Sequence, residues 1–484
     1  MGLRFRHPAS EREVSELIAE AKRTGLKLRV RGSGHSTAAA IYTTGGIDVM
    51  LDRMTGVSFD EPAMQVTVQA GCHLGLDPSD PAGTSTVQNS LFYQLDQHGW
   101  ALPDTGGIIH QTVGGFLSTG SSGGSVQHSV GDQIVAIRLV DGSGNVHEVT
   151  EASDPDVFHA AGVSMGLLGV VTAVTFKCVP TFRVIGNEST TPVDDTPIDL
   201  FGPGRPARPS LERFLRDTEH ARLMWWPQAG VRRMVVWQGR TMRPGDYTAE
   251  TGSSDTFRRK AYEEFPAIFG SDTPAQLLGS AFYNAIRYWN ARGPLGGITR
   301  AGLRLALAPL IRFFVRANGP QHFWDDWWLA LPMDNRASDR LLPTQFTEMW
   351  LPLAQTEEAM ARLRDHYEKL GFSATGPYAC EIYATKGSRF WMSPAYGRDV
   401  VKIDHFWFGN NAGDPAQSYY PQFWELLEDL DYRLHWGKYL PDASAQYLAT
   451  RYPRWDDFLE IREQLDPDRV FLTQYWRSHL GILP

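Results

Sequence analysis

Hydrophobic and polar positions along the chain follow two different periods. Val14, Leu17, Ile18 and Ala21 recur at helical spacing behind Ser10 and Glu13, which form a capping box, and Gly25 stands where such a helix stops. The pattern predicts a helix over 11–24. Apolar and charged residues alternate from Leu26 to Arg31, an apolar run spans Ile47 to Leu51, and Met64 to Ala70 alternates again, so three strands are predicted. Ser90 to His98 returns to helical spacing and is closed by Gly99. Further on, Ile134–Val140 and Val146–Val149 flank Asp141, Gly142, Ser143 and Gly144, a hairpin signal, and Gly169–Val179 reads as a β-branched strand.

Punctuation marks two other stretches. Pro103 to Gly131 is rich in Gly, Ser and Thr and predicts a long backbone-lined loop. Residues 186–210 hold five prolines and predict a linker or surface crossover, with a second unit from 211. In that unit Arg233–Gln238 and Gln345–Leu351 read as strands, and Thr356–Leu370 as a helix stopped by Gly371. Aromatics crowd it: Phe323, Trp324, Trp327, Trp328, Trp350, Phe390, Trp391, Phe406, Trp407 and Phe408. Most are expected in the core and the rest along a ligand pocket. The greasiest stretch, Leu303–Val315, is broken by Arg304, Pro309 and Arg312; it is too short to cross a bilayer and predicts a buried amphipathic helix.

Composition narrows the function. A chain of 484 residues fits two or three structural units. With 46 Lys and Arg against 55 Asp and Glu, the net charge of -9 provides no field for a nucleic-acid backbone. Three cysteines, Cys72, Cys178 and Cys380, lie far apart without C-x-x-C spacing, so neither a disulfide framework nor a metal site is expected and the anticipated setting is a reducing cytoplasm. The start, MGLRFRHPAS, lacks the apolar run of a secretion signal.

The common cofactor and nucleophile templates fail. There is no G-x-G-x-x-G, P-loop or H-E-x-x-H pattern. Two G-x-S-x-G matches occur, around Ser122 and Ser164, but a nucleophile elbow needs a strand before and a helix after; Ser164 has the reverse order and Ser122 sits in glycine-rich loop. A serine hydrolase is therefore a remote alternative. RGSGHS at 31–36 follows a strand, and Gly32 and Gly34 let backbone N–H groups approach an anion beside the hydroxyls of Ser33 and Ser36. By itself, His35 in this loop reads first as a turn histidine satisfied by the backbone. A second loop, with Gly106, Gly107, Gly114, Gly115 and then Ser118 to Gly124, offers many more bare amides, and two such loops suit one long pyrophosphate ligand.

RGSGHS at 31–36, ALPDTGGI at 101–108, QTVGG at 111–115, STG at 118–120, GLLGVVT at 166–172, CEIY at 380–383, SPAYGRD at 393–399, HWGK at 435–438 and LDPDRVF at 465–471 follow one another in a familiar order. The chain resembles the FAD-binding family of p-cresol methylhydroxylase and vanillyl-alcohol oxidase, in its alditol oxidase and sugar-1,4-lactone oxidase branch. The resemblance spans nearly the whole chain. It implies an α+β fold: a two-subdomain FAD-binding domain over 1–180, a substrate cap over 181–435 with an antiparallel sheet flanked by helices, and a segment, 436–484, that returns to the FAD domain.

The same resemblance assigns roles. FAD is expected against Arg31, Gly32, Ser33, Gly34, Ser36, Gly106, Gly107, Thr112, Val113, Gly114, Ser118, Thr119, Gly120, Ser122, Gly169, Val170 and Val171, with His35 bonded covalently to the flavin. Oxidation of a CH–OH group needs a proton acceptor near the substrate oxygen. Glu381 matches the family's active-site glutamate, His405 a histidine lining the polyol site, and Lys438 a lysine at the flavin's pyrimidine edge. The family's Glu-x-Arg becomes Glu381-Ile382-Tyr383 here, which removes a guanidinium and leaves Tyr383 in the catalytic set as a hydrogen-bond donor, with Lys386 or Arg389 to supply the lost charge. A larger and less polar pocket than a sugar-alcohol site is expected, and the substrate is an alditol, a sugar lactone or a bulkier alcohol. Gly106 aligns with the position that gates oxygen, so an oxidase releasing hydrogen peroxide is favoured over a dehydrogenase; a flavin-holding protein without turnover is a further alternative.

Overall fold

A computed structural model of the protein describes residues 5–246, 273–286, 308–332, 340–371, 378–411 and 413–482. The first helix is Glu11–Thr24, where Ser10 Oγ accepts from the Glu13 amide at 3.3 Å and Gly25 closes the end with φ of 69°. The left-handed turn at Gly25 suits a residue without Cβ. Val14, Leu17, Ile18 and Ala21 are buried, as their spacing requires. Next, Leu28–Arg31 pairs in parallel with Ile47–Met50. Beside them lies a five-stranded antiparallel sheet in the order Val57–Asp60, Gln65–Gln69, Val170–Lys177, Ile134–Val140, Val146–Val149. The glycine-rich stretch is not all loop. Val113–Ser118 is helical because Thr112 caps it, its Oγ1 accepting from the Gly115 amide.

The second unit is built on an eight-stranded antiparallel sheet. Its order is Asn318–Asp326, Arg183–Pro192, Arg233–Thr241, His220–Trp226, Cys380–Thr385, Val400–Phe408, Thr344–Pro352, Arg433–Leu434. The expected linker over 186–210 is therefore corrected: its first part is an inner strand of this sheet. Pro192 ends that strand, and the other prolines fall beyond it, so they never remove a ladder hydrogen bond.

One face of the large sheet is apolar. Leu223, Ile382, Val401 and Ile403 pack there against Leu211, Met360, Leu363 and Phe423 from the helices Leu211–Asp217, Thr356–Leu370 and Pro421–Leu426. Seven of the ten clustered aromatics, Phe323, Trp327, Trp350, Phe390, Trp391, Trp407 and Phe408, are at most 2% exposed and serve as core. Of the apolar stretch Leu303–Val315, residues 303–307 lie outside the described ones and 308–314 are helical; Ile311 is buried but Phe313 is exposed, so the expected burial is partial. Among the described residues, no helix is long and apolar enough to cross a membrane.

The opposite face of the sheet turns toward the first unit. There the loop from Ser122 to Ser125 threads between two cap strands: Gly124 donates to Ala384 O at 2.9 Å, and Ala221 donates to Gly124 O at 2.8 Å. The Thr385 hydroxyl contacts Ser122 Oγ at 3.0 Å, and Lys402 Nζ donates to Ser122 O at 2.6 Å. The final segment closes back on the first unit, with Leu28 donating to Val470 O at 3.0 Å and Trp476 Nε1 to Ala40 O at 3.1 Å.

Candidate active site

A cleft of about 1160 Å³ runs through the first unit. Its walls are the 29–36 loop, Met50 to Asp52, Ala70, Gly71, His73, the 111–119 region, Met165, Gly166, Gly169 to Val171, and Trp436, Phe471 and Trp476 from the end of the chain. Glycine is required where these walls approach each other: a Cβ on Gly32 would stand 2.4 Å from Thr112 Oγ1, and one on Gly71 would stand 1.9 Å from Leu51 O. Gly34 has φ of 90°. The bare backbone that results exposes amides to a ligand, and the buried Nε of Arg31, on the same wall, has no hydrogen-bond partner within the protein. A long, glycine-walled groove with unused donors and aromatic rings fits FAD.

Most of the expected cofactor residues meet here. Arg31, Gly32, Ser33, Gly34, His35, Ser36, Thr112, Gly114, Ser118, Thr119, Gly169, Val170 and Val171 line the cleft. Gly106, Gly107, Val113, Gly120 and Ser122 do not. Val113 is turned into the core, and Ser122 belongs to the seam with the cap. Gly107 packs against Arg222, whose Nη2 would lie 2.8 Å from a Cβ there. Gly106 faces Phe116, with Cε2 2.9 Å from the Cβ position, and Gly120 packs against Val163.

The chemistry on the cap follows from strand register. In the Cys380–Thr385 strand, Glu381 pairs with Met224 on one side and Asp404 on the other, and Asp404 pairs with Glu348. The next register row holds Arg222, Tyr383, Lys402 and Trp350. Side chains at opposed positions share a face, so three carboxylates lie in one row and two cations in the adjoining one. All five charged groups are at most 5% exposed. Arg222 Nε lies 3.1 Å from Glu381 Oε1, and Lys402 Nζ lies 3.0 Å from Glu348 Oε1. Tyr383 sits between the cations, its ring centroid 4.7 Å from the Arg222 guanidinium and 4.2 Å from Lys402 Nζ.

The row does not titrate uniformly. Burial raises Asp404 well above the usual carboxylate range, and its neighbours Glu348 and Glu381 push it further. Glu348 is as deeply buried, yet Lys402, His435 and Lys438 together outweigh that burial and hold it below its ordinary value. Burial also raises the Tyr383 phenol, so it remains a donor, and its hydroxyl is 3.4 Å from Glu348 Oε1. A site with one protonated acid beside charge-balanced carboxylates can both bind hydroxyl groups and accept a proton.

Lys438 joins the site to the cleft: its Nζ donates to His35 O at 3.0 Å. His405 does not join. The structure puts it on the apolar face, stacked on Phe423 at 3.7 Å and 3.2 Å from the Tyr367 hydroxyl. Its register partner is Cys380, not Glu381, so alternation sends it away from the carboxylate row. The expected substitutes for the missing arginine are corrected too. Lys386 pairs with Asp132 and Arg389 with Glu151, whereas the guanidinium beside Glu381 belongs to Arg222. Ser122 and Ser164 lack a nucleophile setting: Ser122 bonds Thr385, and buried Ser164 lies after the helix Pro155–Ala161 and before the strand Val170–Lys177.

Arg222, Glu348, Lys402 and Asp404 were not singled out by sequence reasoning. Their signal was present as charges inside otherwise apolar strands, a placement that costs free energy unless a partner is supplied.

Comparison with known proteins agrees with this geometry. The chain matches the FAD binding domain family over residues 3–76 and 82–150, and the D-arabinono-1,4-lactone oxidase family over 309–479. It is 28% identical to the L-gulono-1,4-lactone dehydrogenase of Mycobacterium tuberculosis, over 98% of this chain and 95% of that protein. It is 26% identical to the L-gulonolactone oxidase of Mus musculus, over 97% and 93%. In fold it is similar to cholesterol oxidase from Brevibacterium sterolicum, with a TM-score of 0.69 at 15% identity over 98% of this chain and 93% of that one. A glycine-walled cofactor cleft facing a charged cap sheet thus belongs to a FAD-linked oxidoreductase acting on CH–OH donors, in which a p-cresol methylhydroxylase-type FAD-binding domain is joined to a D-arabinono-1,4-lactone oxidase domain.

Proposed function

We propose that the protein oxidises a ring or terminal CH–OH group of a polyhydroxylated sugar lactone, or of a related alditol, and passes the electrons to molecular oxygen with release of hydrogen peroxide. The carboxylate row carries the reading: Glu381, Asp404 and Glu348, balanced by Arg222 and Lys402, make a dense array of hydrogen-bonding groups that suits many hydroxyls better than a hydrocarbon. This departs from the less polar pocket expected of the aromatic-rich cap, because most of those rings are spent in the core. The names of the relatives, lactone oxidases and a lactone dehydrogenase, point the same way.

Bound FAD supplies the hydride acceptor. Glu381 Oε accepts the proton of the substrate hydroxyl, and Arg222 holds that carboxylate in place and donates to substrate oxygen. Protonated Asp404 and the Tyr383 hydroxyl donate to other hydroxyls. Lys438, fixed to His35 O, puts a cation at the cofactor end of the site, where it stabilises negative charge. His35 is the proposed point of covalent attachment; it lines the cleft. Oxygen is the proposed acceptor on the family alignment of Gly106 alone, since that glycine packs against Phe116 and not on the cleft wall. Three buried free thiols suit a cytoplasmic setting.

The test is anaerobic mixing of the yellow protein with gulonolactone, arabinonolactone, a simple alditol and a bulky hydrophobic alcohol, followed by admission of air. Bleaching by a lactone and peroxide on reoxidation are expected. Preference for the bulky alcohol would overturn the substrate reading; bleaching with no reaction in air would make the protein a dehydrogenase.

A further inference from the structure

Beside the carboxylate row lies a second cluster that the reaction does not use. His128, whose amide donates to Ser125 Oγ at 3.1 Å, follows the seam loop, and Glu219 and His220 are adjacent at the start of the His220–Trp226 strand. His128 Nε2 is 3.3 Å from Glu219 Oε1, His220 Nε2 is 3.7 Å from the same oxygen, and the two rings stack at 5.4 Å. We infer that His128, Glu219 and His220 form a binding site for a divalent cation of the zinc type, with Asp104 as the outer partner of His220.

The spacing is that of ligands around one ion. Nitrogen and oxygen donors at tetrahedral zinc are about 3.3–3.5 Å apart, given metal distances of about 2.0–2.2 Å. Here one ligand atom from each of the three residues lies within 4.8 Å of the others, so closing around an ion needs only small side-chain adjustments. His220 gives the second, independent observation. Its side chain is 2% exposed, yet neither ring nitrogen has a hydrogen-bond partner. Nδ1 faces Asp104 Oδ1 at 3.9 Å, and Asp104 Oδ2 is itself buried without a partner. An ion on Nε2 would leave Nδ1–H directed at Asp104, the carboxylate–histidine–metal arrangement that fixes a ligating ring.

The rest of the surroundings agree. The Thr241 hydroxyl at 2.7 Å and the Thr241 amide at 3.3 Å anchor the Glu219 carboxylate. Glu219 and Asp104 together balance a doubly charged ion. Imidazole and carboxylate ligands without thiolate suit zinc, nickel or copper better than calcium or magnesium. A small cavity lined by Asp104, Gly124, His220 and Arg222 among others adjoins the Asp104 side of the His220 ring. His128, with 34% of its side chain exposed, provides the way in. An ion here would bind the seam loop to the cap strand that carries Arg222, and so steady the active face from one end.

Zinc chloride is the probe. The untagged, flavin-loaded protein is stripped with a chelator, dialysed against micromolar zinc and analysed for zinc per chain by atomic emission. One zinc per chain is expected, lost in His128→Ala and weakened about tenfold or more in Glu219→Gln. His128 is partly exposed, so its removal leaves the fold, and flavin absorbance reports that it has. No stoichiometric zinc in the parent protein, or the same zinc content in His128→Ala, would overturn the site. Neither result bears on the oxidation of CH–OH groups, which is read by flavin bleaching.

Discussion

Arg222 lies 3.1 Å from Glu381, brought there by the pairing of two neighbouring antiparallel strands rather than by sequence proximity. The family arginine expected two residues after this glutamate is Tyr383, and Arg222 is the register partner of that tyrosine. The guanidinium has thus moved one strand sideways, and Tyr383 supports its face at 4.7 Å. Arg222→Met should lower kcat/KM by at least about a hundredfold and destabilise the fold by about 3–5 kcal/mol, because Glu381 would remain buried with its charge unbalanced. The double exchange Arg222→Tyr with Tyr383→Arg should recover part of both losses. Steady-state kinetics with denaturant titration checks this; an Arg222→Met enzyme of full activity would refute the assignment.

Glu381→Gln keeps the shape of the site and removes the proton acceptor. Flavin reduction by substrate should slow by about 10²–10⁴-fold, the usual worth of a general base, with flavin content unchanged. Stopped-flow reduction in the absence of oxygen measures it, and a loss confined to KM would reduce Glu381 to a binding residue.

His405 should matter to acid stability and not to turnover. Burial lowers its pKa to about 3 in the folded chain, against about 6.5 when unfolded. Between those values the unfolded chain binds the extra proton, so stability falls as pH drops below about 6.5, by up to about 1.4 kcal/mol per pH unit. His405→Phe should flatten this part of the profile while kcat stays within about twofold. Denaturation midpoints at neutral and acid pH, compared with the parent, decide the point.

His35→Ala tests covalent attachment without any substrate. Acid precipitation of the parent protein should carry the yellow colour into the pellet, and the same treatment of His35→Ala should release it. Colour released from both proteins would leave His35 as a wall residue of the cleft, where the structure puts it.

The sequence was most legible where local chemistry decides the backbone. The Ser10 and Glu13 cap, the left-handed Gly25, the hairpin of Ile134–Val140 with Val146–Val149 and the helix Thr356–Leu370 all depend on neighbours within a few residues, and all were readable. The strand Arg183–Pro192 was missed because prolines that follow it coloured the whole stretch. The site was harder. Motifs pointed to Glu381 and Lys438, but they could not say which face each strand residue takes. Cys380 opposite His405, and Glu381 opposite Asp404, is a fact of register between strands, and a shift of one residue would exchange the two sets. Arg222 is a stronger case: its role appears only once the two strands are known to be neighbours.

The Ser122–Ser125 loop sets a limit on how the molecule can work. Because it is hydrogen-bonded on both sides to cap strands and tied to Lys402, prising the two units apart would tear a sheet rather than open a hinge. Any route for substrate that parts the units there has to break these bonds. The cleft likewise receives Trp436, Phe471 and Trp476 from the end of the chain, so its walls are complete only once the last segment has folded back on the first unit.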